Sequence, residues 1–245
     1  MIADDPENTR LLAIETSGAR CCVALRVGGQ KLSRVDATPR AHARRLLPLV
    51  EELLQAGGIA LGELDGIVVG AGPGSFTGLR IGMAVAQGLA TAAGLPLLCP
   101  SSLAAAALAE GRDRLETTVV VAVDARMDEV YLGAWGVGGS RGAPIERLAD
   151  GVGKPDAAAG RIDALCDDLG ADEPVVIVGD GADLLAARSE RVRVLPRGGA
   201  SVDAVALLEL AASAPVEHWV PAGAAEPVYL RDESRWTRAD RRPAG

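Results

Sequence analysis

The chain has 245 residues, 49% of them hydrophobic and 24% charged, which allows one large domain or two small ones and excludes disorder for most of the chain. It carries 25 basic and 33 acidic residues, a formal net charge of −8. This balance argues against a free-standing nucleic-acid-binding protein, because phosphate contacts need a basic surface.

Cysteine, histidine and apolar patterns limit the compartments and metal sites that the chain predicts. The four cysteines have no CxxC spacing and are too few for a disulfide scaffold, so we interpret them as reduced thiols of a cytoplasmic protein. The start of the chain, MIADDPENTR, has no apolar segment like that of a signal peptide, and no run of 18 apolar residues predicts a membrane span. The two histidines, His42 and His218, are too few for a histidine-rich metal site.

The first half of the chain predicts three strands followed by alternating helices and strands. Residues 10–37 combine β-rich runs with a glycine turn at 28–29, which is typical of a three-strand antiparallel meander. The elements predicted next are, in chain order, a helix at 42–57, a strand at 66–70, a helix at 76–93, a strand at 95–99 and a helix at 101–110.

The second half predicts a similar series. Its elements are, in chain order, strands at 119–123 and 129–137, a helix at 155–169, a strand at 174–178, a helix at 181–188, a strand at 192–195 and a helix at 202–213. Both halves therefore begin with strands and continue with alternating helices and strands. This repetition predicts two α/β lobes, with a boundary near residues 100–116.

The strongest local signal is the segment 70–82, GAGPGSFTGLRIG, in which a strand passes through a glycine-rich turn into a helix. It fits neither the dinucleotide-binding pattern GxGxxG nor the phosphate-binding loop that ends in Gly-Lys-Ser/Thr. Free N–H groups at the start of the helix, together with Arg80 in its first turn, still permit an anion site. The alternative is an ion pair between Arg80 and an Asp or Glu of the same chain.

Small residues recur every four positions along this helix, at Gly78, Gly82, Ala86 and Ala90, and therefore form one stripe. A glycine inside a helix costs about 0.8–1 kcal/mol relative to alanine, so another interaction must offset that cost. Close approach of another backbone would do so. The residues alone leave open whether that backbone belongs to the same chain or to a second protein.

Four sequence blocks resemble the TsaB (YeaZ) family, whose bacterial members act in tRNA threonylcarbamoyladenosine biosynthesis. The blocks are IETS at 14–17, GPGSFTGLRIG at 72–82, DARMDEVY at 124–131 and EPVYLR at 226–231. The resemblance implies an actin-like, ribonuclease-H-type α/β fold (the ASKHA architecture), with two lobes that each hold a mixed sheet flanked by helices. We expect residues 1–110 and 215–245 to form the first lobe and residues 111–214 the second.

The resemblance also implies the role of a non-catalytic scaffold subunit that needs no cofactor. TsaB proteins bind and activate the catalytic paralogue TsaD, and the ATPase TsaE joins them. The complex transfers a threonylcarbamoyl group to N6 of adenosine 37 in tRNAs that read codons starting with adenine. The expected partners are therefore a TsaD-like subunit and a TsaE-like ATPase, with tRNA contacted through the complex and a homodimer as a further option for the chain alone. The arginine-rich stretch 235–242 either reaches tRNA phosphate or is a solvated terminus.

The chain lacks a metal-ligand pair that TsaD-like proteins carry after the glycine-rich helix. Their HxxxH histidines correspond to Ser102 and Ala106 here, and alanine cannot bind a metal, so we expect no metal site. The turns at 15–18 and 179–182 are loose matches to the nucleotide-binding turns of actin-like proteins. They leave open the alternative of a stand-alone metal- or ATP-dependent hydrolase, glycoprotease-like, of the actin-like superfamily.

Two sets of candidate site residues follow from the stripe and from the resemblance, which implies that TsaB proteins contact TsaD through helices of the first lobe. The residues predicted at the partner interface are Leu46, Val50, Phe76, Gly78, Leu79, Gly82, Met83, Ala86 and Ala90. The residues predicted for an anion or nucleotide contact are Glu15, Thr16, Ser17, Gly74, Ser75 and Arg80. We predict no catalytic residue in this chain.

Overall fold

The computed structural model describes residues 8–112, 114–138, 143–170, 173–186, 188, 193–194 and 202–231. The prediction for the stretch 235–242 therefore lies outside the described residues, and the strand predicted at 192–195 is described only at 193–194. No helix within these described ranges has the length and apolar character needed to cross a membrane.

The first sheet contains the predicted antiparallel meander and two further parallel strands. Its strands are β1 (Leu11–Glu15), β2 (Cys21–Val27), β3 (Gln30–Asp36), β4 (Gly66–Val69) and β5 (Leu97–Leu98), in the order β3-β2-β1-β4-β5. β1 pairs antiparallel with β2, and Glu15 at its end lies opposite Cys22. β1 also pairs in parallel with β4. The sheet therefore brings the end of β1 beside the end of β4, where the glycine-rich loop begins.

The alternation of side chains along β1 builds two cores, one on each face of this sheet. Leu12 and Ile14 face a core shared with α1 (His42–Gly57) and α2 (Phe76–Ala93). Leu11 and Ala13 lie in the core on the opposite face. Successive residues of a strand point to opposite sides of the sheet, which explains why this short strand is apolar throughout.

The second sheet repeats the plan of the first. Its strands are β6 (Thr117–Arg126), β7 (Glu129–Val137), β8 (Ile145–Gly153), β9 (Val175–Val178) and β10 (Arg193–Val194), in the order β10-β9-β6-β7-β8. In both sheets the first strand lies at the centre, between the second and fourth strands. Helices α4 (Pro155–Leu169) and α5 (Ala182–Ala186) pack on one face. This repeat confirms the predicted two-lobed, actin-like α/β fold class.

Strand β8 is absent from the elements that we predicted from the sequence. It forms one edge of the second sheet, and its side chains are exposed or half-buried. An edge strand that buries little surface needs no continuous apolar run, so the segment IERLADGVG carries no strong strand signal.

Helix α3 (Ser102–Gly111) lies between the two sheets. Ala105 packs in the core on the first sheet, whereas Leu103, Ala106 and Ala107 pack against β6, β7 and β9 of the second. A helix that is apolar on all sides is buried on all sides, and its alanines allow both sheets to approach closely. Short 3₁₀ turns at Leu61–Glu63, Val216–His218 and Ala222–Ala224 complete the described secondary structure.

Helix α6 (Ala204–Ala212) covers the first sheet, although we expected residues 111–214 to form the second lobe. Its buried residues Ala204, Leu207 and Leu208 share a core with β1, β2 and β4. The chain then continues along the first lobe, where Val220 and Leu97 form an isolated antiparallel bridge. The expected second lobe, residues 111–214, therefore includes a helix that packs on the sheet of the first lobe.

Candidate functional site

The glycine-rich loop between β4 and α2 is closed by hydrogen bonds from within the chain. The backbone N–H of Ser75 donates to the carbonyl oxygen of Ser17 over 2.7 Å, and Ser75 Oγ accepts from the N–H of Gly78, which caps α2. The N–H of Gly72 donates to Ser102 Oγ. These bonds tie the loop to the end of β1 and to the start of α3.

Glu15 is buried at the centre of this arrangement, with 1% of its surface exposed. Its Oε1 accepts from the N–H of Ser17 over 2.6 Å, and its Oε2 accepts from Ser102 Oγ over 2.8 Å. Burial raises the pKa of the Glu15 carboxyl above its ordinary value, and the hydrogen bonds from Ser17 and Ser102 oppose this shift. The carboxylate therefore serves as an internal link between β1 and α3.

Two glycines of the loop are required by close approach to β1. A Cβ atom on Gly70 would overlap with the Glu15 carboxylate, and one on Gly74 would lie 2.6 Å from the carbonyl oxygen of Ser17. Real Cβ atoms do not approach other atoms this closely. The glycine-rich composition thus reflects packing of the loop against the turn after β1.

The small-residue stripe of α2 faces the same turn. A Cβ on Gly78 would overlap with the Thr16 carbonyl oxygen, and one on Gly82 with Thr16 Oγ1. Thr16 Oγ1 donates a 2.8 Å hydrogen bond to the Gly78 carbonyl oxygen. The close contact that offsets the cost of the two helical glycines therefore comes from the same chain, from the backbone of Thr16 at Gly78 and from its side chain at Gly82.

The predicted partner-interface set is largely inside the first lobe. Eight of its nine residues are buried: Leu46, Val50, Gly78, Leu79, Gly82, Met83, Ala86 and Ala90. Phe76 alone of the nine is exposed, with 54% of its surface accessible. The inward stripe is therefore occupied by the chain's own residues, which corrects the expectation that a partner fills it.

The opposite face of α2 carries a second series of small residues that the sequence analysis did not use. Ala84, Gly88 and Ala92 are four residues apart and exposed, and a Cβ on Gly88 would meet no atom within 4 Å. The same four-residue spacing could have revealed this series. The sequence contains both stripes, and the fold decides which one faces the core.

The predicted anion-contact set separates into two groups. Glu15, Thr16, Ser17, Gly74 and Ser75 come together at the loop, but Arg80 points away from them. The Arg80 guanidinium lies 3.6 Å from the centroid of the Phe76 ring, and its Nε donates to Tyr229 Oη over 3.0 Å. Among the described residues Arg80 forms no ion pair with an Asp or Glu, so its neighbours are aromatic rather than anionic.

An open cleft of about 640 Å³ lies between the lobes. The turn after β1 and the glycine-rich loop line one side, and Gly179 and Asp180 line the other. Asp180 accepts a 2.9 Å hydrogen bond from the N–H of Asp124. Three of the residues that line the cleft carry a carboxyl group, Glu15, Glu110 and Asp180, and one, Arg20, carries a guanidinium group. This charge balance disfavours a polyphosphate at the cleft.

The positions that correspond to the TsaD-like histidines lie at the start of α3. Ser102 and Ala106 are both fully buried, and the Ser102 hydroxyl is engaged with Glu15 and Gly72. The part of the chain that the structure describes contains no group of three or more His, Cys, Asp or Glu residues arranged to hold a metal ion.

The segment before the end of the described chain joins both lobes. The N–H of Val228 donates to the Ala71 carbonyl oxygen, next to the glycine-rich loop. Arg231 Nη2 donates to Glu129 Oε2 over 2.6 Å and to the Ala125 carbonyl oxygen over 2.9 Å, both in the second lobe. The turn that it contacts, residues 126–128, has three consecutive non-glycine residues with φ between 56° and 64°. Such backbone persists where surrounding contacts hold it.

Known proteins match this chain over most of its length. The family model described as TsaD, tRNA N6-adenosine threonylcarbamoyltransferase, matches residues 36–166. The tRNA threonylcarbamoyladenosine biosynthesis protein TsaB of Escherichia coli K12 is 34% identical, and the alignment covers 94% of this chain and 97% of that protein. The protein of the same name from Haemophilus influenzae is 44% identical, over about half the length of each, 51% and 53%.

A solved structure agrees with these sequence matches. The structure of YeaZ from Pseudomonas aeruginosa superposes with a TM-score of 0.80 at 36% identity, covering 91% of this chain and 100% of that one. Another Pseudomonas aeruginosa structure, of a protein with similarity to peptidase YEAZ, gives a TM-score of 0.82 at 38% identity with the same coverage.

Proposed function

The chain belongs to the TsaB (YeaZ) family, and on this premise we propose that it acts in tRNA threonylcarbamoyladenosine biosynthesis as a non-catalytic scaffold subunit. It binds a TsaD-like transferase subunit and holds it in an active arrangement, and a TsaE-like ATPase joins the pair. The tRNA is contacted through this complex. The modified atom is N6 of adenosine 37 in tRNAs that read codons starting with adenine.

The observation that supports a binding role is the outward face of α2, which we define as Ala84, Gly88 and Ala92. A glycine in the middle of a helix costs about 0.8–1 kcal/mol relative to alanine, and no atom of the described chain lies close enough to Gly88 to offset that cost. A second helix packed on this face would approach closely at a row without bulky side chains. We therefore assign the partner contact to the outward face rather than to the buried stripe.

The neighbouring helix α1 supports the same assignment. It contacts α2, and its Leu47 is 50% exposed although it lies on a helix whose other leucines face the core. An exposed leucine on a helix that contacts α2 offers a partner helix an apolar contact, and the row of small residues on α2 offers it a groove. A second copy of the chain could use the same face when the TsaD-like subunit is absent, and light scattering of the chain alone and in the mixture measures this.

The assignment of chemistry to the partner rests on two residues. Glu15 is 1% exposed, and both of its oxygens accept hydrogen bonds within the chain, from Ser17 and from Ser102, which disfavours this carboxylate as a contact for a metal-bound nucleotide. Ala106 offers no ligand atom. These observations favour a scaffold over the stand-alone hydrolase.

The test is the substitution Gly88→Leu, measured with a purified TsaD-like subunit. Leucine is a better helix former than glycine, Gly88 is exposed, and a Cβ at this position would meet no described atom within 4 Å, so we expect the variant to fold normally. Its affinity for the TsaD-like subunit is expected to fall by about tenfold or more, because the side chain occupies the space of the partner. Calorimetric titration gives the affinity, and a reconstituted tRNA threonylcarbamoylation assay gives the activity.

Gly160→Leu is the matched control. Gly160 lies on α4 in the second lobe and is exposed, and a Cβ placed on it would also meet no atom within 4 Å. This substitution is expected to leave both the affinity and the tRNA modification unchanged. If Gly88→Leu binds and supports modification as the unsubstituted chain does, the assignment of the outward face is wrong.

A further inference from the structure

A cavity of about 500 Å³ at the start of α2 contains the chain's single phenylalanine and both of its tyrosines. We call it the aromatic cavity. The residues that line it are Gly74, Phe76, Leu79, Tyr131, Val228, Tyr229, Leu230 and Arg231. They come from the first lobe, from β7 of the second lobe and from the segment that joins the lobes. Of the chain's six aromatic residues, three Trp, two Tyr and one Phe, three therefore lie at this one cavity.

The rim of this cavity is held in place although it is exposed. Arg80 stacks on the Phe76 ring at 3.6 Å, lies 5.6 Å from the Tyr229 ring centroid and donates to Tyr229 Oη. The two rings lie 5.9 Å apart and are tilted by 48°. Cation–π and ring–ring contacts of this kind fix side-chain rotamers. A pre-organised rim loses less conformational entropy when a ligand binds.

The surface around the cavity is unusually apolar. Phe76, Met127, Val228 and Tyr229 are between 43% and 60% exposed, and they account for four of the nine large hydrophobic residues that are exposed in the described part of the chain. Scattered exposed apolar residues need no explanation, but a group around a cavity marks an interaction site.

Two arginines at this cavity have incomplete sets of partners within the described residues. Arg231 Nε is buried and has no hydrogen-bond partner among the described residues, although Nη2 of the same group is well bonded. Arg80 has no carboxylate partner within the described ranges. Because the Arg80 side chain is exposed, its positive charge is accessible to an acidic group of a ligand.

We propose that the aromatic cavity is a docking site for an extended peptide segment of a partner protein. The segment inserts one large apolar side chain between Phe76, Tyr229 and Leu79, and it sets an Asp or Glu side chain against Arg80. The complementary charge of Arg80 fixes the acidic character of the segment. This site uses none of the three residues of the outward face of α2, although Arg80 lies one turn before Ala84 on the same helix.

A peptide fits these observations better than a nucleic acid. Tyr, Phe, Met and Arg are the residue types enriched at protein–protein interfaces. The chain has a net charge of −8, so a nucleic acid, with one negative charge per nucleotide, would meet more repulsion here than a peptide with a single acidic side chain.

The experiment selects a displayed library of random seven-residue peptides on the full chain. The enriched peptides are then synthesised, and their affinities are measured by fluorescence anisotropy. We expect enriched sequences that place Leu, Phe or Trp beside Asp or Glu. Tyr229→Ala and the charge reversal Arg80→Glu are each expected to weaken binding by about tenfold or more, because they remove the rim and the cation. Both side chains are exposed, and circular dichroism of each variant verifies its fold.

Leu115→Ala is the control, because Leu115 is the most exposed large apolar residue described and lies outside the aromatic cavity. It is expected to leave peptide affinity unchanged. The proposal is overturned if no peptide is enriched, if the enriched peptides bind the Tyr229 and Arg80 variants as tightly as the original chain, or if they lack the paired apolar and acidic residues. Binding of a single-stranded decauridylate that Tyr229→Ala abolishes, in the absence of peptide binding, would also overturn it in favour of a nucleic-acid site.

Discussion

The inner and outer faces of α2 carry the same kind of sequence and meet different surroundings. Gly78, Gly82, Ala86 and Ala90 face inward, where Thr16 leaves no space for a Cβ on either glycine. Ala84, Gly88 and Ala92 face outward, and Gly88 meets no atom of the described chain. The inner glycines allow close packing of α2 against Thr16. The outer glycine lowers the stability of the helix, and no packing contact within the described chain offsets that cost.

The effect of a small residue in a helix therefore depends on the atoms that lie opposite it in the folded chain. A glycine against a backbone is a packing requirement, and replacing it should destabilise the fold. A glycine against solvent is a local cost, and replacing it should stabilise the free chain while blocking a partner.

The largest expected effect is that of Gly78→Ala on the inner face. The new Cβ would overlap with the Thr16 carbonyl oxygen, a backbone atom that cannot rotate away. We expect the free energy of unfolding to fall by about 3 kcal/mol, the upper end of what overpacking usually costs. Urea denaturation monitored by circular dichroism measures this change. A variant as stable as the original chain would contradict the packing account of the inner stripe.

Burial also affects a charged group, the carboxyl group of Asp150, where β8 meets the start of α3. Asp150 on β8 accepts a 2.7 Å hydrogen bond from Ser101 Oγ, the cap of α3, but its Oδ1 is buried without a partner among the described residues. Burial raises the pKa of Asp150 to about 6; nearby Glu146 adds to the shift, while Ser101 and Arg161 oppose it. The pKa of an Asp side chain in the unfolded state is near 3.9. At pH values between about 3.9 and about 6, the Asp150 carboxyl is therefore expected to be protonated in the folded state and ionised in the unfolded state.

The sign of the pH effect follows from these two pKa values. Between about pH 4 and pH 6 the folded state binds more protons, so the contribution of Asp150 to stability is lost as the pH rises through this window. We expect Asp150→Asn to raise the free energy of unfolding near pH 7 by about 1–2 kcal/mol and to flatten its dependence on pH between 4 and 6. Denaturation at a series of pH values tests both expectations. Asp168→Asn, at an exposed position of α4, controls for the general loss of one negative charge; equal behaviour of the two variants would refute the role of burial.

The smallest expected effect is that of Gly88→Ala on the outer face. Alanine is the better helix former, and a Cβ meets no atom here, so the free energy of unfolding is expected to rise by about 0.5–1 kcal/mol. Gly160→Ala on α4 offers the same substitution in open space and should stabilise by a similar amount. Thermal denaturation of both variants measures the gain. A loss of stability at Gly88 alone would mean that the outer face packs within the chain.

Much of the fold followed from the sequence because its signals are local. The apolar run of β1 and the glycine turn at 28–29 predicted the meander, and the four-residue spacing in α2 predicted a helix with a small-residue stripe. The edge strand β8 was missed because its half-exposed side chains carry no apolar run. The motifs GPGSFTGLRIG and EPVYLR identified the family, but nothing in either indicated that they meet around one cavity.

The spacing of apolar and small residues was enough to predict the helices, most of the strands and the presence of closely packed glycines, since these features depend on short stretches of chain. The tertiary structure was needed to show which glycines face Thr16 and which face solvent. It also showed that Arg80 contacts Tyr229, 149 residues away, rather than an anion. It also decided that α6 covers the first sheet. Such contacts join distant parts of the chain, and their geometry depends on the arrangement of the whole fold rather than on local propensity.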